Sequence, residues 1–273
     1  MRLRSNRRAR DKAFTLVEML VVMGIIAALA AILLPTITRA WRSSMRARAR
    51  MDMETISVAI EAYRNDFNAY PMPVTAGTAQ QVLAQALIGP GGVSGPAADG
   101  YAGPGFRVRP GGRVWGPYLP PDRVRLRDPL NRQNASPAFD RMAIFDAFDR
   151  AILYFPAHGK SDRIKQANGY MANAATALYN PKDTDLTPYW RLGSDGGALV
   201  ESDDTYVIKR LMIFLGDTDA SGQINGSEVA RYTGAYILWS SGPDTLLGPG
   251  TESGVVPTIA DVGRCDDITN FTP

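Results

Sequence analysis

Residues 19–34 form an unbroken run of aliphatic side chains, methionines and one glycine, and between 14 and 34 only Thr15 and Glu18 are polar. As a helix rising about 1.5 Å per residue, such a run matches a hydrocarbon core of about 30 Å. Beyond Pro35 the pattern changes period rather than stopping. Met53, Ile56, Ile60, Tyr63 and Phe67 recur at steps of three and four, and Asp52, Glu54, Glu61, Arg64 and Asp66 fill other positions. This spacing predicts helix over 36–67, lying on a globular domain by one apolar stripe, with Tyr63 and Phe67 as core packing. Asn68-Ala69-Tyr70-Pro71-Met72-Pro73 ends the helix, because proline cannot continue one. A single helix from 14 to 67 would be about 80 Å long.

The remaining pattern is shorter in reach. Residues 79–88 fit a short helix, and 89–117, dominated by Gly and Pro, read as a long surface loop suited to subunit-specific contact. Strand signals follow at 151–156, 207–215 and 234–240, each rich in β-branched or aromatic residues. Residues 157–205 carry no clear period. The expected class is α+β: a long N-terminal helix, membrane-spanning in its first half, packed on a small antiparallel sheet with long loops. The implied segments are a leader at 1–13, an apolar helix at 14–35, an amphipathic helix at 36–71 and a globular domain at 72–273.

Charge sharpens this division. The net charge of the 273-residue chain is +3, yet beyond residue 50 there are 19 basic and 25 acidic side chains. The excess of base sits in two short segments. One is the leader, with Arg2, Arg4, Arg7, Arg8, Arg10 and Lys12. The other is the helical run Arg39, Arg42, Arg46, Arg48 and Arg50, which would hold anionic headgroups, pair with acidic patches of neighbouring subunits, or form a solvated face. A nucleic-acid footprint on the globular part is not supported. Cys265 is the only cysteine, so no internal disulfide forms, and a domain outside the cytoplasm needs another staple.

Glu18 is the anomaly of the apolar run. A carboxylate within hydrocarbon costs roughly 2.5–3.5 kcal/mol even on the forgiving insertion scale, so it calls for a partner. A secretory signal peptide would explain the basic leader, but the apolar stretch is long, no small-x-small cleavage site follows cleanly, and helix continues beyond it. A plain anchor leaves Glu18 unexplained. The segment Ala13-Phe14-Thr15-Leu16-Val17-Glu18 closely resembles the processing site of type IV pilins and type II secretion pseudopilins. In that family a basic leader is cut just before a Phe, a Glu follows four residues later, and a Pro bends the helix where Pro35 stands. Ala13 occupies the place the family usually gives to Gly. The resemblance implies that a prepilin peptidase cuts between Ala13 and Phe14 and methylates the new amine. It also implies that Glu18 of one subunit neutralises the terminal ammonium of a neighbour, setting axial stagger.

Two acidic stretches are candidate metal sites. Residues 217–228 (DTDASGQINGSE) fit a 12-residue calcium loop. The side chains of Asp217, Asp219, Ser221, Asn225 and Glu228 and the Gln223 carbonyl supply oxygens, Gly222 gives the sharp turn, and Ile224 fills the apolar position. The alternative is a polar turn between two strands, which the strand pattern of 207–215 favours, since an EF-hand needs a helix on each side. The second stretch rests on resemblance. Leu238-Trp239-Ser240-Ser241-Gly242-Pro243-Asp244, with Cys265-Asp266-Asp267-Ile268-Thr269-Asn270-Phe271 after it, is similar to the end of the major, calcium-binding pseudopilins. That similarity implies Asp244, Asp266 and Asp267 as alternative ligands.

His158 is the only histidine, and no phosphate-binding Gly loop, nucleophile elbow or zinc spacing occurs. No catalysis is expected. The resemblance implies a filament subunit of a secretion pseudopilus or pilus. Its implied partners are prepilin peptidase, other pilin or pseudopilin subunits and an inner-membrane assembly platform. Before assembly it would be a single-pass protein of the bacterial inner membrane with a cytoplasmic N-terminus, and afterwards part of a periplasmic or surface filament. The competing reading is a surface binding module, such as a minor tip adhesin, that shares the pilin-type anchor.

Overall fold

The computed structural model describes residues 16–74, 78–89, 104–109, 111–128, 142–158, 179, 183–186, 204–219, 224, 228–245, 247–248, 259–262 and 265–271. Helix α1 spans Leu16–Phe67, as the two hydrophobic periods predict, and runs through Pro35. Thr36 Oγ1 donates to Leu33 O at 2.7 Å and Thr38 Oγ1 to Pro35 O at 3.0 Å, so hydroxyls bond carbonyls around the proline. The helix ends where Asn68 adopts a left-handed backbone, φ 52°, ahead of Tyr70-Pro71.

The chain separates into two units, residues 1–44 and 45–273. In the first, the helix exposes its apolar side chains all round; Leu16, Leu20, Met23, Ile26, Leu29 and Leu33 are all exposed. It is long and apolar enough to cross a membrane.

The second unit is α+β, with small antiparallel sheets following the helix, the pilin-like arrangement that the resemblance implies. Helix α2 is Ala79–Ile88. Strands β1 (Phe106–Arg107) and β2 (Val114–Trp115) form one hairpin, and β3 (Arg125–Arg127) pairs with β4 (Ala143–Phe145). The main sheet has the order β5-β6-β7, with β5 Leu153–Pro156, β6 Tyr236–Ser240 and β7 Ile268–Thr269. Both of its faces are buried. Tyr154, Tyr236 and Leu238 point into a core with Met53, Ile56 and Ile60 of α1 and Leu83 and Leu87 of α2. Leu153, Phe155, Ile237 and Trp239 point the other way, into a core with Leu211 and Phe214. The alternation is the two-residue period of a strand placed between two apolar layers.

Three expectations need correction. Residues 207–215 are not a strand: they lie in helix α3, Asp204–Leu215. Leu211, Met212, Ile213, Phe214 and Leu215 are all buried, so the last five residues of the helix form one unbroken apolar run, which periodicity alone does not distinguish from a buried strand. Within 89–117, expected to be a long surface loop, the β1–β2 hairpin is held by Phe106 and Trp115 against Phe67 at ring distances of 5.5 and 5.1 Å, while residues 90–103 and 110 lie outside the described residues. Strand β4 also lies where no strand signal was read. The apolar stripe of α1 behaves as expected: Met53, Ile56 and Ile60 are buried, and Tyr63 stacks edge-on with Tyr118 at 5.7 Å. A short helix α4, Ile259–Val262, precedes the C-terminal strand.

Candidate functional site

Three places carry the chemistry singled out from the sequence. The first is the N-terminal segment. Glu18 lies in the first turn of α1 and Pro35 inside the helix. Ala13 and Phe14 lie outside the described residues.

The second is the turn after α3. Asp217 N–H donates to Met212 O at 3.0 Å and Arg231 N–H to Leu215 O at 2.8 Å, so the helix end pins both limbs of the loop. Gly216 makes this approach possible. Its φ is 121°, and a Cβ there would sit 2.3 Å from Val229 O. Glu228 returns to the start of the loop: its Oε1 accepts from Thr218 N–H and Thr218 Oγ1, each at 2.5 Å, and from Asp219 N–H at 3.3 Å. Asp217, Asp219 and Glu228 each offer an oxygen, and these atoms lie within 4.8 Å of one another. Asp217 is fully buried, and Ile224 is buried in the core beneath the sheet. Three of the ligands read from the sequence are therefore together; Ser221, Gln223 and Asn225 lie outside the described residues. The helix correction also changes the setting: a helix leads into the loop, whereas irregular chain follows Glu228.

The third is the C-terminal turn. Strand β6 ends at Ser240, and Gly242 turns the chain with φ 65°, where a Cβ would meet Asp266 O at 2.3 Å. Asp244 N–H donates to Asp266 Oδ2 at 3.1 Å. Asp267 Oδ2 accepts from Trp239 Nε1 at 2.7 Å and Gly248 N–H at 2.6 Å. Its Oδ1 is buried and meets no hydrogen-bond partner among the described residues. Burial pushes the Asp267 carboxyl well above the usual carboxylate range, and the charges of Asp244 and Asp266 add to the shift. Donor atoms of Cys265, Asp266 and Asp267 lie within 4.8 Å of one another. Burial raises the Cys265 thiol and disfavours its thiolate, so the carboxyl oxygens of Asp266 and Asp267 are the better donors here, and oxygen donors suit a hard cation such as calcium. An orphaned buried carboxylate oxygen beside a second carboxylate fits such an ion. Asn270 clips this ending to β6, accepting from Leu238 N–H at 2.9 Å and donating to Tyr236 O at 3.3 Å.

Two relationships were not legible in the sequence. Arg46 of the helical arginine run pairs with Asp266 at 3.7 Å. Asp146, fully buried, accepts from Phe148 N–H at 2.8 Å and Arg150 N–H at 2.9 Å through Oδ1, and from Ser240 Oγ at 2.6 Å through Oδ2. The single histidine, His158, pairs with Asp183.

Comparison with known proteins agrees with the N-terminal geometry. The family model for the prokaryotic N-terminal methylation motif matches residues 8–34, from within the leader through Glu18 to the end of the apolar run. The chain thus carries a type IV pilin-like prepilin signal, of the kind a prepilin peptidase processes, on a helix suited to membrane anchoring before assembly with other subunits. No curated protein and no solved structure matches the chain.

Proposed function

We propose that this chain is a structural subunit of a type II secretion pseudopilus or type IV pilus-like filament. The observation that carries the reading is the methylation motif at 8–34 leading into a 52-residue helix whose first half is apolar on every side. The uncut chain is held in the inner membrane with its leader in the cytoplasm. Cleavage between Ala13 and Phe14 creates an ammonium group, and Glu18 of an adjoining subunit neutralises it as the assembly platform adds the subunit. The globular unit then faces outward in a periplasmic or surface filament. Of the subunit types, the major calcium-binding pseudopilin is the one the C-terminal turn supports. Calcium at Asp244, Asp266 and Asp267, or at the 217–228 loop, supplies the staple that a chain with one cysteine lacks. Mass spectrometry of purified filaments tests the reading: the chain is expected in them, beginning at methylated Phe14. Its absence from filaments, or a mature form that keeps the leader, overturns it. Confinement to a trace component at filament tips would favour the adhesin reading instead.

A further inference from the structure

Asp266 is contested. Its Oδ2 lies 3.7 Å from Arg46 Nη2, with the carboxylate side chain only 18% exposed, and the same oxygen accepts Asp244 N–H at 3.1 Å. Asp267 beside it keeps a buried Oδ1 with no hydrogen-bond partner among the described residues. A divalent cation held by these carboxylates must either draw Asp266 away from the guanidinium or bind with a positive charge a few ångströms off. Both lower its affinity. We infer that Arg46 is a displaceable counter-cation of the C-terminal acidic site: it neutralises Asp266 when no ion is bound, and a divalent cation releases it.

The inference rests on reading Asp244, Asp266 and Asp267 as a calcium site, and it adds a consequence. Occupancy of that site and the freedom of Arg46 to pair elsewhere become one linked equilibrium, and the coupling is reciprocal. Whatever factor Arg46 takes from calcium affinity, calcium takes from the Arg46–Asp266 pair. Arg46 lies on α1 in the run from Arg39 to Arg50, so calcium frees a cation on the assembly helix for the acidic surface of another subunit.

The test is calorimetric titration of the full chain in detergent micelles with calcium, in an Glu228→Gln background that weakens the other loop. Arg46→Gln is expected to bind calcium about three- to tenfold more tightly, the scale of one partly screened unit charge beside a divalent ion. Arg46→Lys, which keeps the charge, should stay near the parent. An Arg46→Gln variant with native circular dichroism that binds no more tightly than the parent overturns the inference. Asp267→Asn separates the two levels of the argument. If Asp267→Asn titrates like the parent, there is no calcium site at this turn, and the counter-cation role falls with it. If Asp267→Asn loses binding while Arg46→Gln changes nothing, the calcium reading stands and only the role of Arg46 is wrong.

Discussion

Trp239 donates its indole N–H to Asp267 Oδ2 at 2.7 Å, and so ties the core beneath the main sheet to the acidic C-terminal turn. The ring itself is buried and meets Phe214 of α3 edge-on at 4.9 Å. Packing and site are therefore held by one side chain. Trp239→Phe keeps an aromatic ring but leaves Asp267 Oδ2 with Gly248 N–H alone among its neutral donors. The expected loss in urea unfolding is about 2–4 kcal/mol, from a hydrogen bond to a carboxylate plus the space left by the indole. Phe214→Leu serves as control: it loosens the same core without touching the carboxylate. Calcium affinity should fall in Trp239→Phe and hold in Phe214→Leu; equal affinity in both would separate the indole from the site.

Calcium should raise the thermal midpoint of the full chain, and a chelator should reverse the effect. An ion that binds only the folded state contributes about 2.7 kcal/mol at a hundred times its dissociation constant. Glu228→Gln and Asp267→Asn assign the increment. Glu228 closes the 217–228 loop by accepting from Thr218 and Asp219, and Asp267 holds the orphaned oxygen of the second site. The variant that abolishes the shift marks the occupied loop. A midpoint that ignores both calcium and chelator would remove the metal from the account of stability.

Local chemistry was legible, and distant pairing was not. The helix from Leu16 to Phe67 follows from an apolar run and an i, i+3, i+4 stripe, both visible within short windows. Strands β5 and β6 were legible from their β-branched and aromatic content. Helix α3 was not, because the short apolar run 211–215 is buried throughout, and such a run fits a buried strand as well as a buried helix. Asp217, Asp219 and Glu228 do lie together, and their closeness in sequence made that proximity legible. Arg46–Asp266 and Asp146–Ser240 join segments far apart in sequence, and no local pattern announces either pair.

Asp146 offers a pH test away from both acidic sites. Burial raises its carboxyl from the ordinary value of 3.8, against hydrogen bonds from Ser240, Arg150 and Phe148 that pull it down. A raised folded value means that the folded state holds the proton more tightly than the unfolded chain. Its contribution to stability is therefore greatest below 3.8 and declines as pH rises through the folded value. Asp146→Asn resembles the protonated carboxyl, with an oxygen left for the Phe148 and Arg150 N–H groups. The stability of wild type minus that of Asp146→Asn should fall between pH 4 and pH 7.5 in urea unfolding. A difference that grows with pH would mean the charged carboxylate is favoured by folding. Asp146→Ala removes all three contacts and should cost about 2–4 kcal/mol at pH 4, a cost that declines toward pH 7.5 in step with Asp146→Asn.

Glu18 tests the assembly reading most directly. It lies in the first turn of α1 among Leu16, Val17, Met19 and Leu20, all exposed and apolar. A carboxylate in hydrocarbon is costly, by roughly 2.5–3.5 kcal/mol, and so is an ammonium at a cut terminus. In the proposed assembly, each lowers the cost of the other when two subunits meet at the stagger that brings them together. Glu18→Leu removes the first cost, so membrane insertion should be undiminished or improved. It also leaves the ammonium of the neighbouring subunit without its counter-charge, so incorporation into filaments should drop at least tenfold, the effect of about 1.4 kcal/mol per subunit contact. Cell fractionation reads the first outcome and quantitation of sheared filaments the second. Glu18→Asp, which keeps the charge on a shorter arm, should fall between. A Glu18→Leu subunit found in filaments at wild-type abundance would sink the pairing, whatever the fate of the leader.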